Sequence, residues 1–257
     1  MQVQAERGYL IPAINTKSVD YLSCAIQLAE SIKDWHPSAS ISVITVNRCD
    51  NPVFDNVIPL PFGDLGGFAN DWQCFAASPY RQTIKLEADM FAAGPIDHWW
   101  TLFELRDVVV SQGCRDIYNQ PSSARHYRQL FDQNQLPDVY NAVTYWRRSH
   151  TAKEFFDRVK DVFENWNTYK TFLKFPDKEA STDVVYAVVA AIMGVERVTL
   201  PIGLGPSIVH MKRYIVPIMG EDWTNELVWE KTDPGLRIQT VSQQGLVHYH
   251  IKDWRAS

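Results

Sequence analysis

The sequence predicts an α/β protein built on a mixed, mainly parallel sheet with helices on its faces. Its first 60 residues carry apolar segments in the order strand, helix, strand, strand, which is typical of a nucleotide-binding α/β unit. With 257 residues and 46% hydrophobic composition, the chain is long and apolar enough to bury a full core. The formal net charge of −5 excludes a globally basic nucleic-acid-binding protein but does not exclude a local basic cleft.

Apolar spacing predicts the elements of the N-terminal half. Short apolar or alternating runs indicate strands, and apolar residues recurring every three or four positions indicate helices. In chain order, the predicted elements are strand 8–14, a helix from 15–16 to 35–37, strands 41–46 and 53–60, a loop at 62–67, helix 70–77, strand 81–87, helix 97–105 and strand 107–111. No G-x-G-x-x-G follows the first strand, so an NAD-type dinucleotide site is not supported.

The C-terminal half begins with a polar stretch at 113–137, which we expect to be irregular. Strand 139–146, an amphipathic helix over 150–166 and a second helix over 181–194 follow, and 195–257 mixes short strands and loops. Ser181 or Thr182 is the expected N-cap of the second helix. Because no repeat or low-complexity linker interrupts the chain, we expect one domain over 1–257, with a nucleotide-binding half at about 1–112 and an acceptor half at about 113–257.

The sharpest chemical feature is a pair of acidic residues, Glu87 and Asp89, at the end of the strand predicted over 81–87. Residues two apart on a strand face the same side, so both carboxylates can reach one cation. Oxygen ligands of this kind suit Mn²⁺ or Mg²⁺. A divalent cation there would neutralise the charge that builds up on a departing nucleoside diphosphate.

The segment from Thr83 to Phe91 resembles the DxD segment of GT-A glycosyltransferases, especially those related to family 8, with Glu87 in place of the first Asp. Three further segments follow in the family's order. They are Tyr140–Arg147, which resembles the FNAG strand with Val143 for Gly; Thr182–Tyr186, which resembles the DQ segment with Val184 for Gln; and His248–Trp254, which resembles the C-terminal H-(F/Y)…K-P-W segment with Asp253 for Pro. The resemblance spans roughly 8–254 and implies a GT-A-like fold.

The resemblance also implies roles for individual residues and a retaining reaction with a nucleotide-sugar, most simply a UDP-sugar. The implied metal ligands are Glu87, Asp89 and either His248 or its competitor His250; the implied donor-binding residues are Ala13, Asn15, Lys85 and Lys252; and the implied catalytic residues are Asp183 and Asn141. If the reaction were inverting, Asp183 or Asp116 could act as the base. The stereochemical outcome is therefore left open by the residues themselves.

The acceptor is predicted only by class. The small size of this chain and its divergent motifs resemble those of phage-encoded GT-A proteins, which implies 5-hydroxymethylated pyrimidines in DNA as acceptor. A cationic face for duplex DNA could come from the arginines that cluster in the middle third, which are Arg115, Arg125, Arg128, Arg147 and Arg148. A glycan, protein or small-molecule acceptor is the alternative, and a nucleotidyltransferase or a non-catalytic nucleotide-sugar-binding protein is the second alternative. The sequence shows no signal peptide and no membrane-spanning run, so we expect a cytoplasmic protein without membrane insertion.

Overall fold

The computed structural model describes residues 5–59, 68–122, 129–175, 178–201 and 203–256. The helices are α1 (Tyr21–Trp35), α2 (Cys74–Ala77), α3 (Trp99–Phe103), α4 (Gln129–Gln133), α5 (His150–Glu164), α6 (Trp166–Leu173), α7 (Thr182–Met193) and α8 (Val195–Val198). The strands are β1 (Ala5–Pro12), β2 (Ile41–Ile44), β3 (Asn56–Ile58), β4 (Tyr80–Leu86), β5 (Met90–Ala92), β6 (Val108–Gln112), β7 (Cys114–Arg115), β8 (Pro121–Ser122), β9 (Val139–Arg147), β10 (Ile208–His210), β11 (Trp229–Lys231), β12 (Leu236–Ile238), β13 (Val241–Ser242) and β14 (Leu246–His248). A 3₁₀ helix at Phe68–Gln73 leads into α2.

The central sheet has the strand order β3-β2-β1-β4-β9-β6. β1 pairs in parallel with β2 and β4, and β2 pairs in parallel with β3. β9 runs antiparallel to both of its neighbours, β4 and β6. The predicted mixed, mainly parallel sheet is therefore confirmed. Because the carboxyl ends of β1, β2 and β4 meet at one edge, this edge is where ligand-binding side chains are expected in an open α/β sheet.

Helices cover both faces of this sheet, because successive side chains of its strands point to opposite faces and are apolar on both. On β1, Leu10 packs into one hydrophobic cluster with α5 and α7, whereas Tyr9 and Ile11 pack into another with α1 and α3. The amphipathic pattern of α5 is confirmed, because its apolar residues Phe155, Phe156, Val159, Val162 and Phe163 are all buried. Trp166 shares the same cluster but belongs to α6.

Element boundaries differ from the predictions mainly where side chains cap the helices. The first helix begins at Tyr21 and not at 15–16, because Asp20 accepts a hydrogen bond from the backbone N of Ser23 (3.1 Å). Asn15 lies outside the helix and accepts from the backbone N of Leu22 (2.8 Å). The helix predicted over 150–166 ends at Glu164. The polar stretch 113–137, expected to be irregular, contains β7, β8 and α4 among its described residues.

A second sheet, ordered β5-β14-β10-β7-β8, carries the C-terminal chemistry next to the central sheet. β14 pairs antiparallel with β5 and in parallel with β10, so His248 lies opposite Met90 and beside His210. A small three-stranded sheet, β11-β12-β13, packs behind it. None of the helices in the described ranges has the length and apolar character that a membrane-spanning segment needs.

Candidate metal centre and donor cleft

Glu87 and Asp89 lie in the turn that connects β4 to β5. The backbone N of Glu87 still donates to the carbonyl O of Ala142 on β9 (3.1 Å), so Glu87 continues the sheet beyond its last assigned residue. The Asp89 side chain is 6% exposed and the Glu87 side chain is 31% exposed. Both carboxylates therefore sit at the carboxyl end of a parallel strand, with Glu87 on the open side.

His248 reaches the two carboxylates from β14. Its Nε2 lies 2.8 Å from Oδ2 of Asp89 and 3.5 Å from Oε2 of Glu87. Its other ring nitrogen, Nδ1, forms a short hydrogen bond with the hydroxyl of Tyr140. Because a tyrosine hydroxyl can donate or accept, Tyr140 can hold this ring in either neutral tautomer and keep Nε2 directed at the carboxylates.

The two carboxylates differ in their protonation equilibria. Burial by itself would raise the pKa of Asp89, but His248 and the Lys252 ammonium, which also contacts Asp89 Oδ2, hold it well below its ordinary value. Burial raises the pKa of Glu87 above its ordinary value, and the neighbouring Asp89 carboxylate adds to that rise against the opposing effect of His248. Asp89 is thus the permanent anion of the pair.

The donor set formed by Glu87, Asp89 and His248 fits a divalent cation. One ligand atom from each of the three residues lies within 4.8 Å of the others. Two carboxylates with one imidazole suit Mn²⁺, which accepts oxygen ligands and tolerates a nitrogen. Lys252 also contacts Asp89 Oδ2, and its side chain is 29% exposed; a cation bound through that oxygen would replace this contact.

His250 lies outside this donor set in the described conformation. Its Nε2 is 3.4 Å from Nδ1 of His210, and its ring stacks on that of His248 with centroids 3.9 Å apart. Burial and the neighbouring imidazoles lower the pKa of His250 well below its ordinary value, so its ring is neutral. Of the two histidines predicted as competing ligands, His248 is the one that contacts the carboxylates.

The predicted catalytic residues, Asn141 and Asp183, contact each other near the carboxylate pair. The backbone N of Asn141 on β9 donates to Oδ1 of Asp183 (2.9 Å), which lies in the first turn of α7. Ser181 caps this helix by accepting from the backbone N of Val184. The cap and the β9 contact together hold the Asp183 carboxylate at the edge where Glu87 emerges.

Lys85 is buried beneath this edge instead of facing an open cleft. Its side chain is 2% exposed, and its Nζ donates to Oδ1 of Asp71 (2.7 Å) and Oδ1 of Asn141 (3.2 Å). The other oxygen of Asp71 accepts from the Tyr186 hydroxyl and from Nδ2 of Asn141. Sequence reasoning did not place Asp71, Tyr186, Tyr140 or His210 among the site residues, because nothing in their local spacing indicates which side chains they contact.

The other predicted donor-binding residues lie near the carboxyl end of β1. Ala13 is fully buried, and its backbone N donates to the carbonyl O of Ile44 (2.8 Å). The Asn15 side chain donates to Asp20 (2.8 Å) in addition to its contact with the first turn of α1. Both residues therefore shape the sheet edge that also carries Glu87, and Asn15 does so through its own side-chain bonds.

The predicted arginine face is divided by the fold. Arg147 pairs with Asp107, and Arg148 donates to the carbonyl oxygens of residues 78 and 80. Arg147 is the last residue of β9, four strand positions or about 13 Å beyond the residue that pairs with the end of β4, and Arg148 follows it. Arg115 lies on β7 and pairs with Val209 of β10, next to His210. Arg125 and Arg128 lie outside the described residues.

No protein-family model matches the sequence, and no curated protein is significantly similar to it. Among solved structures, the galactosyltransferase LgtC, in complex with donor and acceptor sugar analogues, is similar at 10% identity over 71% of this chain and 70% of that chain, with a TM-score of 0.47. Mouse xyloside xylosyltransferase 1 is similar at 11% identity over 73% and 82%, with a TM-score of 0.44. The apo glycosyltransferase GlyE of Streptococcus pneumoniae TIGR4 is similar at 9% identity over 76% of this chain and 45% of that chain, with a TM-score of 0.44. At these identities and TM-scores the likeness establishes neither a family nor an activity.

Proposed function

We propose that the chain is a metal-dependent glycosyltransferase that takes a sugar from a nucleotide-sugar. The observation that carries this proposal is the convergence of Glu87, Asp89 and His248 on one point at the carboxyl end of β4. Open α/β sheets bind their ligands at this edge, and a cation there faces a diphosphate bound across the strand ends. Mn²⁺ is the cation we expect, with Mg²⁺ as the second choice, and UDP-sugars are the donors to test first.

The bound cation would supply charge neutralisation for the diphosphate that leaves when the sugar is transferred. The chain's own residues provide the rest of the machinery. Asp89 and Glu87 would hold the cation, and Lys252, which contacts Asp89 here, would offer its ammonium to the diphosphate. Asp183, fixed by the backbone of Asn141, would orient the donor sugar. Transfer with retention follows from the resemblance, and NMR of the product's anomeric proton tests it.

One observation favours this function over a nucleotidyltransferase. Such an enzyme would be expected to carry a glycine-rich loop after its first strand, whereas this position reads Pro12-Ala13-Ile14-Asn15-Thr16. A non-catalytic sugar-nucleotide-binding protein would bind the donor without hydrolysing it, so donor hydrolysis separates it from an enzyme.

Calorimetric titration of the full chain with Mn²⁺ and a panel of nucleotide-sugars tests the proposal. We expect donor binding that depends on Mn²⁺, followed by slow donor hydrolysis. Asp89→Asn should abolish both donor binding and hydrolysis. Asp253→Asn, which changes an exposed carboxylate in the C-terminal segment that carries His248 and Lys252, should change neither. Absence of binding for every nucleotide-sugar in the presence of Mn²⁺ would refute the function, and pyrophosphate release from a nucleoside triphosphate and a sugar phosphate would indicate a nucleotidyltransferase.

As acceptor, we propose duplex DNA that carries 5-hydroxymethylated pyrimidines. Its acceptance of the sugar is to be compared with that of glycans, proteins and small molecules that carry hydroxyl groups. Among the arginines predicted for DNA, Arg115 lies on β7 and pairs with β10, next to His210. If DNA is the acceptor, Arg115→Glu should weaken binding and reduce the salt slope by about one. Equal binding of modified and unmodified duplexes, unaffected by this change, would remove DNA from the acceptor classes.

A further inference from the structure

Three histidines lie side by side next to the carboxylate pair. His210 and His248 occupy paired positions on the neighbouring parallel strands β10 and β14. His250 follows two residues after His248, and its backbone takes a left-handed conformation with φ of 59°. A nitrogen from each of these histidines lies within 4.8 Å of the others. We call this group the histidine cluster.

The histidine cluster has the spacing of a transition-metal site. In a tetrahedral zinc site with Zn–N distances of about 2.0–2.1 Å, two ligand nitrogens are about 3.3–3.4 Å apart. The distance between Nε2 of His250 and Nδ1 of His210 is 3.4 Å. An all-imidazole set suits Zn²⁺, whereas the carboxylate-rich set at Glu87 and Asp89 also accepts Mn²⁺. The histidine cluster is therefore expected to discriminate in favour of Zn²⁺ over Mn²⁺ more strongly than the carboxylate site does.

Burial makes the cluster unusual as a purely structural feature. His210 and His248 are 1% and 3% exposed, although histidine is rarely placed at such depth without a role for its nitrogens. The ring of His210 stands edge-on to both of its partners, at centroid distances of 4.4 Å to His250 and 5.5 Å to His248. In the contact between His210 and His250, the atoms that approach each other are ring nitrogens and not ring carbons.

His248 belongs to both donor sets, and each of its ring nitrogens already has a partner. Its Nε2 contacts Asp89 and its Nδ1 contacts Tyr140, so joining His210 and His250 on one metal requires the ring to give up one of these contacts. If the Tyr140 contact is kept, a metal held by all three histidines would bind Nε2 and take away the imidazole nitrogen that faces Asp89. By this route, occupancy of the histidine cluster and of the carboxylate site is mutually exclusive; binding through Nδ1 would instead release Tyr140 and leave Nε2 on Asp89.

We propose that His210, His248 and His250 form a second metal site for Zn²⁺, and that zinc bound there withdraws His248 from Glu87 and Asp89. The zinc site stands on the geometry of the histidine cluster alone. Its inhibitory effect rests on the proposed function, because only a working Mn²⁺ site at Glu87 and Asp89 can lose His248.

Metal binding to the full chain, stripped with a chelator, tests the site without any donor or activity. We expect Zn²⁺ to bind, and Co²⁺ used in its place to give the visible absorption bands of tetrahedral coordination. His210→Gln and His250→Asn should each weaken Zn²⁺ at least tenfold and remove these bands, because each deletes one imidazole. Asparagine is chosen at position 250 because it tolerates the left-handed backbone. Asp89→Asn should leave Zn²⁺ binding in place while it removes Mn²⁺ binding.

Competition then tests the shared ligand. At a Zn²⁺ concentration that saturates the parent protein but lies below the Zn²⁺ Kd of His250→Asn, Zn²⁺ loaded first should weaken Mn²⁺ binding to the parent protein at least tenfold, but not to His250→Asn. The proposal is overturned if both histidine variants keep the Zn²⁺ affinity of the parent chain, or if Asp89→Asn abolishes it, since zinc would then occupy the carboxylate site. If buried His210→Gln does not fold, the more accessible His250→Asn decides the outcome. Zinc binding without any binding of Mn²⁺ or a nucleotide-sugar would refute the proposed function but would still support the zinc site.

Discussion

Lys85→Met is expected to destabilise the protein strongly, because it leaves a largely buried carboxylate without its cation. Lys85 Nζ lies 2.7 Å from Asp71 Oδ1, with side chains 2% and 13% exposed. Burial opposes the charged form of Lys85, yet the Asp71 carboxylate raises the pKa of the amine above its ordinary value, so the pair is ionic. Removing one partner of such a pair costs about 3–5 kcal/mol. Methionine keeps most of the stem length, so little of this cost would come from a cavity.

Thermal unfolding monitored by circular dichroism and by tryptophan fluorescence measures the effect. For a chain of this length, about 2–4 °C is lost per kcal/mol, so Lys85→Met should lower Tm by about 6–20 °C. Adding Asp71→Asn should recover part of the loss, because the amide removes the stranded charge and still meets Tyr186 and Asn141. We expect a coupling energy of about 1–3 kcal/mol from the double-mutant cycle.

A matched control separates this buried pair from an ordinary ion pair. Lys153 and Asp157 are 2.6 Å apart on α5 with side chains 66% and 62% exposed. Lys153→Met should therefore change the free energy of unfolding by about 0.5 kcal/mol or less. The reasoning fails if Lys85→Met costs no more than this control, or if the Lys85 and Asp71 substitutions simply add.

Three further predictions concern the site and its supports. Tyr140→Phe removes the hydroxyl that holds His248 Nδ1, so Mn²⁺ affinity measured by calorimetry should fall about 10–100-fold with Tm little changed; an unchanged affinity would mean that this hydroxyl does not orient the ring. Ser149→Ala removes the oxygen that caps α5 and should cost about 1 kcal/mol, or about 2–4 °C in Tm, whereas Ser149→Thr should retain the cap. Gly245→Ala should destabilise the second sheet, because φ is +64° and a Cβ would lie 2.5 Å from the carbonyl O of Ser207; a Tm equal to that of the parent chain would contradict the close approach.

Sequence pattern predicted the sheet and the acidic pair because both depend on local spacing. The β-α-β-β order at the N-terminus and the amphipathic face of α5 are visible as periodic patterns of apolar residues, because the apolar face of each element must be buried in any fold. Glu87 and Asp89 were found because they follow a recognisable strand, and their separation of two positions keeps them together at the sheet edge although both lie in the turn after β4. Boundaries were less predictable, because a single capping contact such as that of Asp20 moves a helix start by several residues.

Tertiary structure alone decided which residues join that acidic pair. His248 lies 159 positions from Asp89 and contacts it because β14 pairs with β5. On its other side, β14 pairs with β10, and this second pairing places His210 beside His248. His248 and His250 have nearly equivalent local contexts in sequence, and only the turn after β14 separates their partners. Asp71 reaches Lys85 from a 3₁₀ helix that overlaps the helix predicted over 70–77, and the spacing there does not indicate which residue Asp71 meets. Local spacing determines on which face of a helix or strand a side chain lies. Which residues that side chain contacts depends on the strand order, and the strand order depends on burial summed over the whole sheet.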